Sequence, residues 1–170
     1  MKKIETERKY VIVKPDVNLL MSQNGFTSSD ITQIYLFDKE KTHRIRKRVF
    51  SDGREEYTEN TKRRISALSS IETEEEISCE KFCELMRQIA PNSSAVQKTR
   101  ITFEYCNKVF EVDIYPKWDK TCILEVELEN ENEQIAFPDF INTVRDVTGD
   151  RKYSNHSMAY EFPKEIDFSD

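Results

Sequence analysis

Three stretches of this sequence place charges at every second residue. Glu5, Glu7 and Lys9 alternate through 4–13, Arg44, Arg46 and Arg48 through 42–50, and Glu125, Glu127 and Glu129 through 122–129. Successive side chains of a strand face opposite sides of a sheet, so the members of each trio point the same way. Clustered carboxylates supply hard oxygen ligands suited to Mg²⁺ or Mn²⁺, and clustered Arg and Lys supply forked or point-charge partners for phosphate oxygens. A metal on one wall and guanidinium groups on the other is what a polyphosphate needs.

The same alternation recurs along the chain. Lys98 and Arg100 alternate with Thr99 and Ile101, Glu111 and Asp113 with Val112 and Ile114, Lys62 follows Asn60 and Thr58, and Glu74 shares a face with Glu76. A charged sheet face turned to water is the usual outcome for antiparallel sheets. Two features count against it. Signs are segregated by strand, whereas a sheet built only for solubility would intersperse them, because like charges side by side repel. In addition, a continuous antiparallel sheet of about eight strands tends to curl and close. Closure with the helices outside turns the charged faces inward, and such a lumen has to be wet and hold compensating ions, since dry unpaired ions are costly.

The elements that would position these residues are strands over 4–13, 31–37, 42–50, 54–64, 71–78, 95–105, 109–115 and 122–129, with Ser51-Asp52-Gly53 as a hairpin turn. On 31–37, Gln33 and Tyr35 lie opposite Ile34 and Leu36. Phe82, Leu85, Met86 and Ile89 at helical spacing predict a helix over 79–90, stopped by Pro91. One or two helical turns are expected at 17–22, a second helical region over 130–147, a last helical turn within 150–160, and a loose acidic tail beyond Pro163. Hairpin-length connections make the sheet largely antiparallel and the class α+β.

At 170 residues the chain is one domain, 1–170, with its core over about 4–160. The 26 basic and 32 acidic residues leave a net charge of −6, which argues against a nucleic-acid coat protein while allowing a local cationic pocket. No apolar stretch has the length of a membrane span, and Lys2-Lys3 is not followed by a signal-peptide core, so a cytoplasmic location is expected. Cys79, Cys83, Cys106 and Cys122 form no C-x-x-C pair and have two histidines for company, which reads as free thiols without zinc.

Glu5-Thr6-Glu7-Arg8-Lys9 resembles the E-x-E-x-K signature of the CYTH superfamily, the triphosphate tunnel metalloenzymes. The resemblance continues in order through Arg44-Ile45-Arg46, Lys62, Glu74-Glu75-Glu76, Lys98-Thr99-Arg100, Glu111-Val112-Asp113, Glu125-Val126-Glu127 and the segment from Gly149 to Asn155. It implies a closed eight-stranded antiparallel β-barrel, a tunnel with helices packed outside, and metal-dependent hydrolysis or cyclisation of a triphosphate. By carry-over, Lys9, Arg44, Arg46, Lys62, Lys98, Arg100 and Lys152 would hold phosphate oxygens. Glu5, Glu7, Glu125 and Glu127 would bind Mg²⁺ or Mn²⁺, with Asp113 and Glu76 as further acids, while Glu74 and Glu111 would anchor basic side chains. Lys152 occupies the slot where the family carries arginine, which replaces a forked partner by a point charge. Lys9 would serve as general base if nearby cations lower its pKa, with Tyr35 orienting it. His156 reads as a surface or structural residue.

The leading expectation is a triphosphatase acting on inorganic triphosphate or another compact triphosphate. Thiamine triphosphatase, nucleoside triphosphatase, class IV-type adenylate cyclase and a non-catalytic module binding polyphosphate or triphosphate-RNA stand as alternatives. The expected partner is the small-molecule triphosphate, with no membrane and no general nucleic-acid role, and a homodimer stays open.

Overall fold

The alternating stretches form strands that close on themselves. The structure, a computed structural model, describes residues 2–168. In chain order it comprises β1 (Lys2–Val13), α1 (Val17–Met21), β2 (Thr27–Leu36), β3 (Thr42–Phe50), β4 (Glu55–Arg64), β5 (Ser69–Glu76), α2 (Cys79–Leu85), β6 (Val96–Tyr105), β7 (Lys108–Ile114), β8 (Thr121–Glu127), β9 (Thr143–Asp146) and α3 (Asn155–Tyr160). Neighbours run β5-β4-β3-β2-β6-β7-β8-β1, and the β1–β5 pairing closes the ring into an eight-stranded antiparallel barrel. The β3–β4 hairpin turns at Gly53, whose φ of +84° is open to glycine at little cost.

Closure sorts the side chains into an apolar outside and a mostly charged inside. Ile12, Phe103, Phe110, Val112 and Val126 face outward and pack with Leu20 of α1 and with Phe137, Phe140 and Ile141 of the 128–142 connection. On another side α2 lays Phe82 and Leu85 over Ile34, Leu36 and Ile45. Its start is fixed by Ser78, whose hydroxyl accepts from the Lys81 N–H. Each such buried aliphatic or aromatic side chain contributes about 1.5–3 kcal/mol. A third cluster lies inside: Val11, Tyr35, Val96, Tyr115 and Ile123 join Trp118, Tyr153 and, from α3, Met158.

Several expectations are corrected. Residues 130–147 are not helical: 128–142 is irregular, and β9 adds a ninth strand along β1 at Tyr10–Ile12. The aromatic residues there are used in long-range contacts, such as the edge-on Tyr10–Phe137 pair at 5.2 Å, that helical periodicity does not report. The helix at 79–90 ends at Leu85 in a 3₁₀ turn, because Ile89 bridges to Leu36 and the Ala90 N–H donates to the Tyr35 carbonyl. The tail is held through residue 165. Trp118 Nε1 donates to the Pro163 carbonyl, and the Glu165 carboxylate accepts the N–H groups of Asp119, Lys120 and Thr121. All four cysteines are free, as expected. Among the described residues no helix is long and apolar enough to cross a membrane.

Candidate active site

The strand registers decide which charges meet in the lumen. Lys9 on β1 stands opposite Glu125 on β8, Glu111 on β7 also opposite Glu125, and Arg100 on β6 opposite Asp113 on β7. Arg100 donates from Nε and Nη2 to the two Asp113 oxygens at 2.7 and 2.8 Å, reaches Glu125 at 2.7 Å and also contacts Glu111. Lys98 binds Asp113, and Lys9 binds Glu125 at 2.8 Å. Asp113 is fully buried and Lys98, Arg100 and Glu125 nearly so. Such ions persist only when each is paired and hydrogen-bonded.

The pKa directions follow from this packing. Burial pushes the Glu125 carboxyl upward, but Lys9, Arg100 and Lys98 outweigh it and hold it well below the usual range. Burial would lower Lys9, yet Glu125 and Glu7 raise it, so Lys9 is held as a cation. Lys98 goes the other way: burial and the Arg100 charge bring it down to about 8 despite Asp113. The condition attached to Lys9 as a base is therefore not met at Lys9, and the lowered lysine is Lys98.

At one end of the barrel a cavity of about 460 Å³ is lined by Lys3, Glu5, Glu56, Thr58, Glu72, Glu74 and Glu76. Burial and the neighbouring Glu72, with which it shares a hydrogen bond, raise the Glu5 carboxyl to about 7. Glu72 itself resists burial and is drawn down to about 2 by Arg44 at 3.6 Å and Lys62 at 2.6 Å, with Asn60 donating at 3.2 Å. Glu127 is half exposed and shares Lys3 with Glu5, while Glu7 lies 3.8 Å from Lys62. Among the described residues no three His, Cys, Asp or Glu side chains are gathered as a complete metal site. The Glu5–Glu72 pair nevertheless fits a hard divalent cation. Two carboxylates that must share a proton would be relieved by an ion in its place, and Mg²⁺ takes one or two carboxylates with the rest of its shell from water and substrate. Glu72 was absent from the residues singled out in the sequence, although it has the same parity as Glu74 and Glu76 on β5.

At the other end a cavity of about 370 Å³ is lined by Lys9, Tyr35, Arg44, Lys62 and Glu7 from the barrel, by Arg64 and 66–70, and by 147–151 with Ser154, His156 and Ser157. Gln33 Nε2 donates to the Tyr35 hydroxyl at 2.6 Å, and the Arg44 guanidinium also reaches that hydroxyl. Arg44 and Arg46 each keep a buried Nε donor without a partner. His156 packs edge-on against Tyr35 at 5.1 Å, a structural contact. Lys152 is exposed and lies outside this lining, whereas its neighbour Arg151 belongs to it. The 3₁₀ turn Arg151–Tyr153 buries Tyr153 in the inner cluster and so fixes which neighbouring side chain reaches the cavity.

No family model and no curated protein matches the chain. Solved structures do. The crystal structure of the inorganic triphosphatase NE1496 is 23% identical over 93% of this chain and 99% of that one, with a TM-score of 0.59. The PH1012 protein from Pyrococcus horikoshii OT3 is 18% identical over 75% of this chain and 80% of its own, and a protein from Pyrococcus furiosus is 17% identical over the same shares, each with a TM-score of 0.55. The chain shares their fold. The tunnel architecture implied by the E-x-E-x-K resemblance is thus present, with its lumen wall formed by the strands that carry the resembling residues.

Proposed function

We propose that the chain is a cytoplasmic, divalent-metal-dependent triphosphatase that hydrolyses inorganic triphosphate or a similarly compact triphosphate. The observation that carries this reading is the partly buried pair Arg44 and Arg46, each with a buried, unsatisfied Nε donor on the charged lumen wall. A buried donor without a partner is costly, and a multivalent anion with several acceptor oxygens supplies one for both. The inorganic triphosphatase NE1496 shares the fold over nearly the whole chain, which supports the reading.

Phosphoryl transfer to water depends on positioning and on neutralising charge. In this reading Arg44, Arg46, Lys62 and Lys9 hold phosphate oxygens, and Arg100 and Lys98 set the floor beneath them. Lys9 acts as a clamp, because an amine kept protonated by Glu125 and Glu7 cannot take a proton from water. The Tyr35 hydroxyl accepts from Gln33 and Arg44, which leaves its own proton to donate to a phosphate oxygen in the cavity it lines. Glu5 and Glu72 hold the cation, with Glu7, Glu76 and Glu127 close to that end. Asp113 and Glu125, already engaged by Lys98, Arg100 and Lys9, serve to fix those cations. When bound, Mg²⁺ or Mn²⁺ would neutralise phosphate charge and polarise an oxygen of the substrate or of water.

The test is phosphate release from inorganic triphosphate, ATP and thiamine triphosphate with Mg²⁺ or Mn²⁺, with cyclic AMP followed in parallel. Inorganic triphosphate should be turned over fastest, activity should vanish with a chelator, and Arg46→Ala should raise KM by about tenfold or more, as expected for a lost charged hydrogen bond. Metal-dependent binding of triphosphate with no release from any substrate would replace the enzyme by a binding module.

A further inference from the structure

The two ends of the lumen carry opposite charge. The cavity beside α3 has five cations, Lys9, Arg44, Lys62, Arg64 and Arg151, against Glu7 and Asp150. The cavity at the other end has five glutamates against Lys3. Both run along the β1–β5–β4 wall: Lys9, Ser70 and Lys62 lie toward one end, and Glu5, Glu72 and Thr58 toward the other.

Two of the five cations lie outside the lumen and outside the residues assigned above. Arg64 is the last residue of β4, and its guanidinium is anchored on the turn that follows: Nε donates to the Ser66 carbonyl at 2.9 Å and Nη2 to the Ala67 carbonyl at 3.0 Å. That turn is braced in its own right, because the Glu131 carboxylate accepts from the Ser66 and Ser69 hydroxyls. Gly149 closes against it at a φ of +77°. A Cβ there would stand 3.1 Å from the Ala67 Cβ and 3.3 Å from Arg64 Nη2, so the close approach of the 147–151 segment to Arg64 depends on glycine. Arg151 follows on that segment. Asp150, the acid between them, is turned to its own backbone and accepts the Lys152 N–H at 3.0 Å. Among the described residues no ion pair engages Arg64 or Arg151. Both are exposed on the rim.

We propose that Arg64 and Arg151 are a rim station that receives a linear phosphate chain and feeds it into the lumen from the α3 end only. This rests on the triphosphate reading of the lumen. A field of one sign over a concave opening concentrates the opposite ion and speeds its association, and the effect falls steeply with salt. The five-glutamate end opposes an anion by the same physics. The Arg64 guanidinium, held by two backbone carbonyls, presents its remaining N–H donors without reorganisation, which suits the forked geometry of phosphate.

The experiment is the association rate of inorganic triphosphate, followed by stopped-flow competition with a fluorescent triphosphate on the full chain at low and at high salt. It does not require turnover, so phosphate release judges the triphosphatase reading separately. Arg151→Glu and Arg64→Glu should each slow association by about fivefold or more at low salt, the deficit shrinking at high salt. Glu56→Lys at the opposite end should change the rate by less than about twofold. Because Arg64 also anchors a turn, Arg64→Gln, which keeps donors for the carbonyls, should retain the deficit. An unchanged rate in Arg151→Glu and Arg64→Gln would overturn the proposal. So would a large acceleration in Glu56→Lys, which would place the route at the acidic end.

Discussion

Glu5 and Glu72 show how two identical side chains acquire different chemistry from their surroundings. Glu72 sits between Arg44 and Lys62 and stays ionised, while Glu5 faces Glu72 and is raised by burial and by that neighbour from 4.5 to about 7. The folded protein therefore holds a proton on Glu5 that the unfolded chain has released, so stability without metal should fall as pH rises from about 4.5 to about 7. Glu72, drawn below its ordinary value, acts in the opposite sense only at lower pH. Denaturant unfolding in a chelator at about pH 5 and about pH 8 measures the slope. Glu5→Gln should flatten it, and Mg²⁺ should restore stability to the wild type at the higher pH; an undiminished slope in Glu5→Gln would assign the proton to another group. At this scale the sequence was informative about charge type and parity, since Arg44, Arg46, Lys98, Arg100, Glu111, Asp113 and Glu125 all face the lumen on alternating positions. It was silent on partners. Nothing local distinguishes Lys9, held by Glu125, from Lys98, crowded by Arg100, because both neighbourhoods are made by strands far away in the chain.

Among the elements, the strands with the strongest alternation were the most legible: 42–50 is β3 to the residue. Alternation with a clear apolar face fixes both the strand and its inward side. The 130–147 stretch reads as helical because Phe137, Phe140 and Ile141 resemble a helix face in spacing, whereas their partners Tyr10, Phe103 and Phe110 belong to the barrel exterior. The tail departs from its expectation for a related reason. Its acidic composition suggests a solvated end, yet Glu165 finds three backbone N–H groups and the Thr121 hydroxyl where the β7–β8 connection enters β8. Glu165→Ala should lower Tm by roughly 2–5 °C while leaving triphosphate hydrolysis near that of wild type. A thermal melt with a parallel activity assay checks both, and an unchanged Tm would mean that Phe162, Pro163 and Ile166 suffice to hold the tail.

For the whole molecule, one barrel serves as both scaffold and site, so ligand and fold share the same free energy. Like charges crowd the lumen: Arg46 is pushed down to about 10 by burial and by Arg44 and Arg100. An anion seated among them relieves that repulsion and binds only the closed barrel. Inorganic triphosphate at a hundredfold excess over its Kd should stabilise by about 2.7 kcal/mol, or roughly 5–10 °C in Tm for a domain of this size. Differential scanning calorimetry with and without the ligand measures it, and a flat Tm at saturation would show that the lumen is not where the anion sits. The way the ring is closed has a further consequence, for the order in which the chain can acquire its shape. β1 pairs with β5 through residues 2–6 and with β8 through residues 7–13, so Glu5 gains its partner strand once residue 70 is made, whereas Glu7 and Lys9 wait for residues 125–127. Until then Glu7 and Lys9 lie on an unmatched edge, and their charges are themselves a guard against another chain adding to it during synthesis.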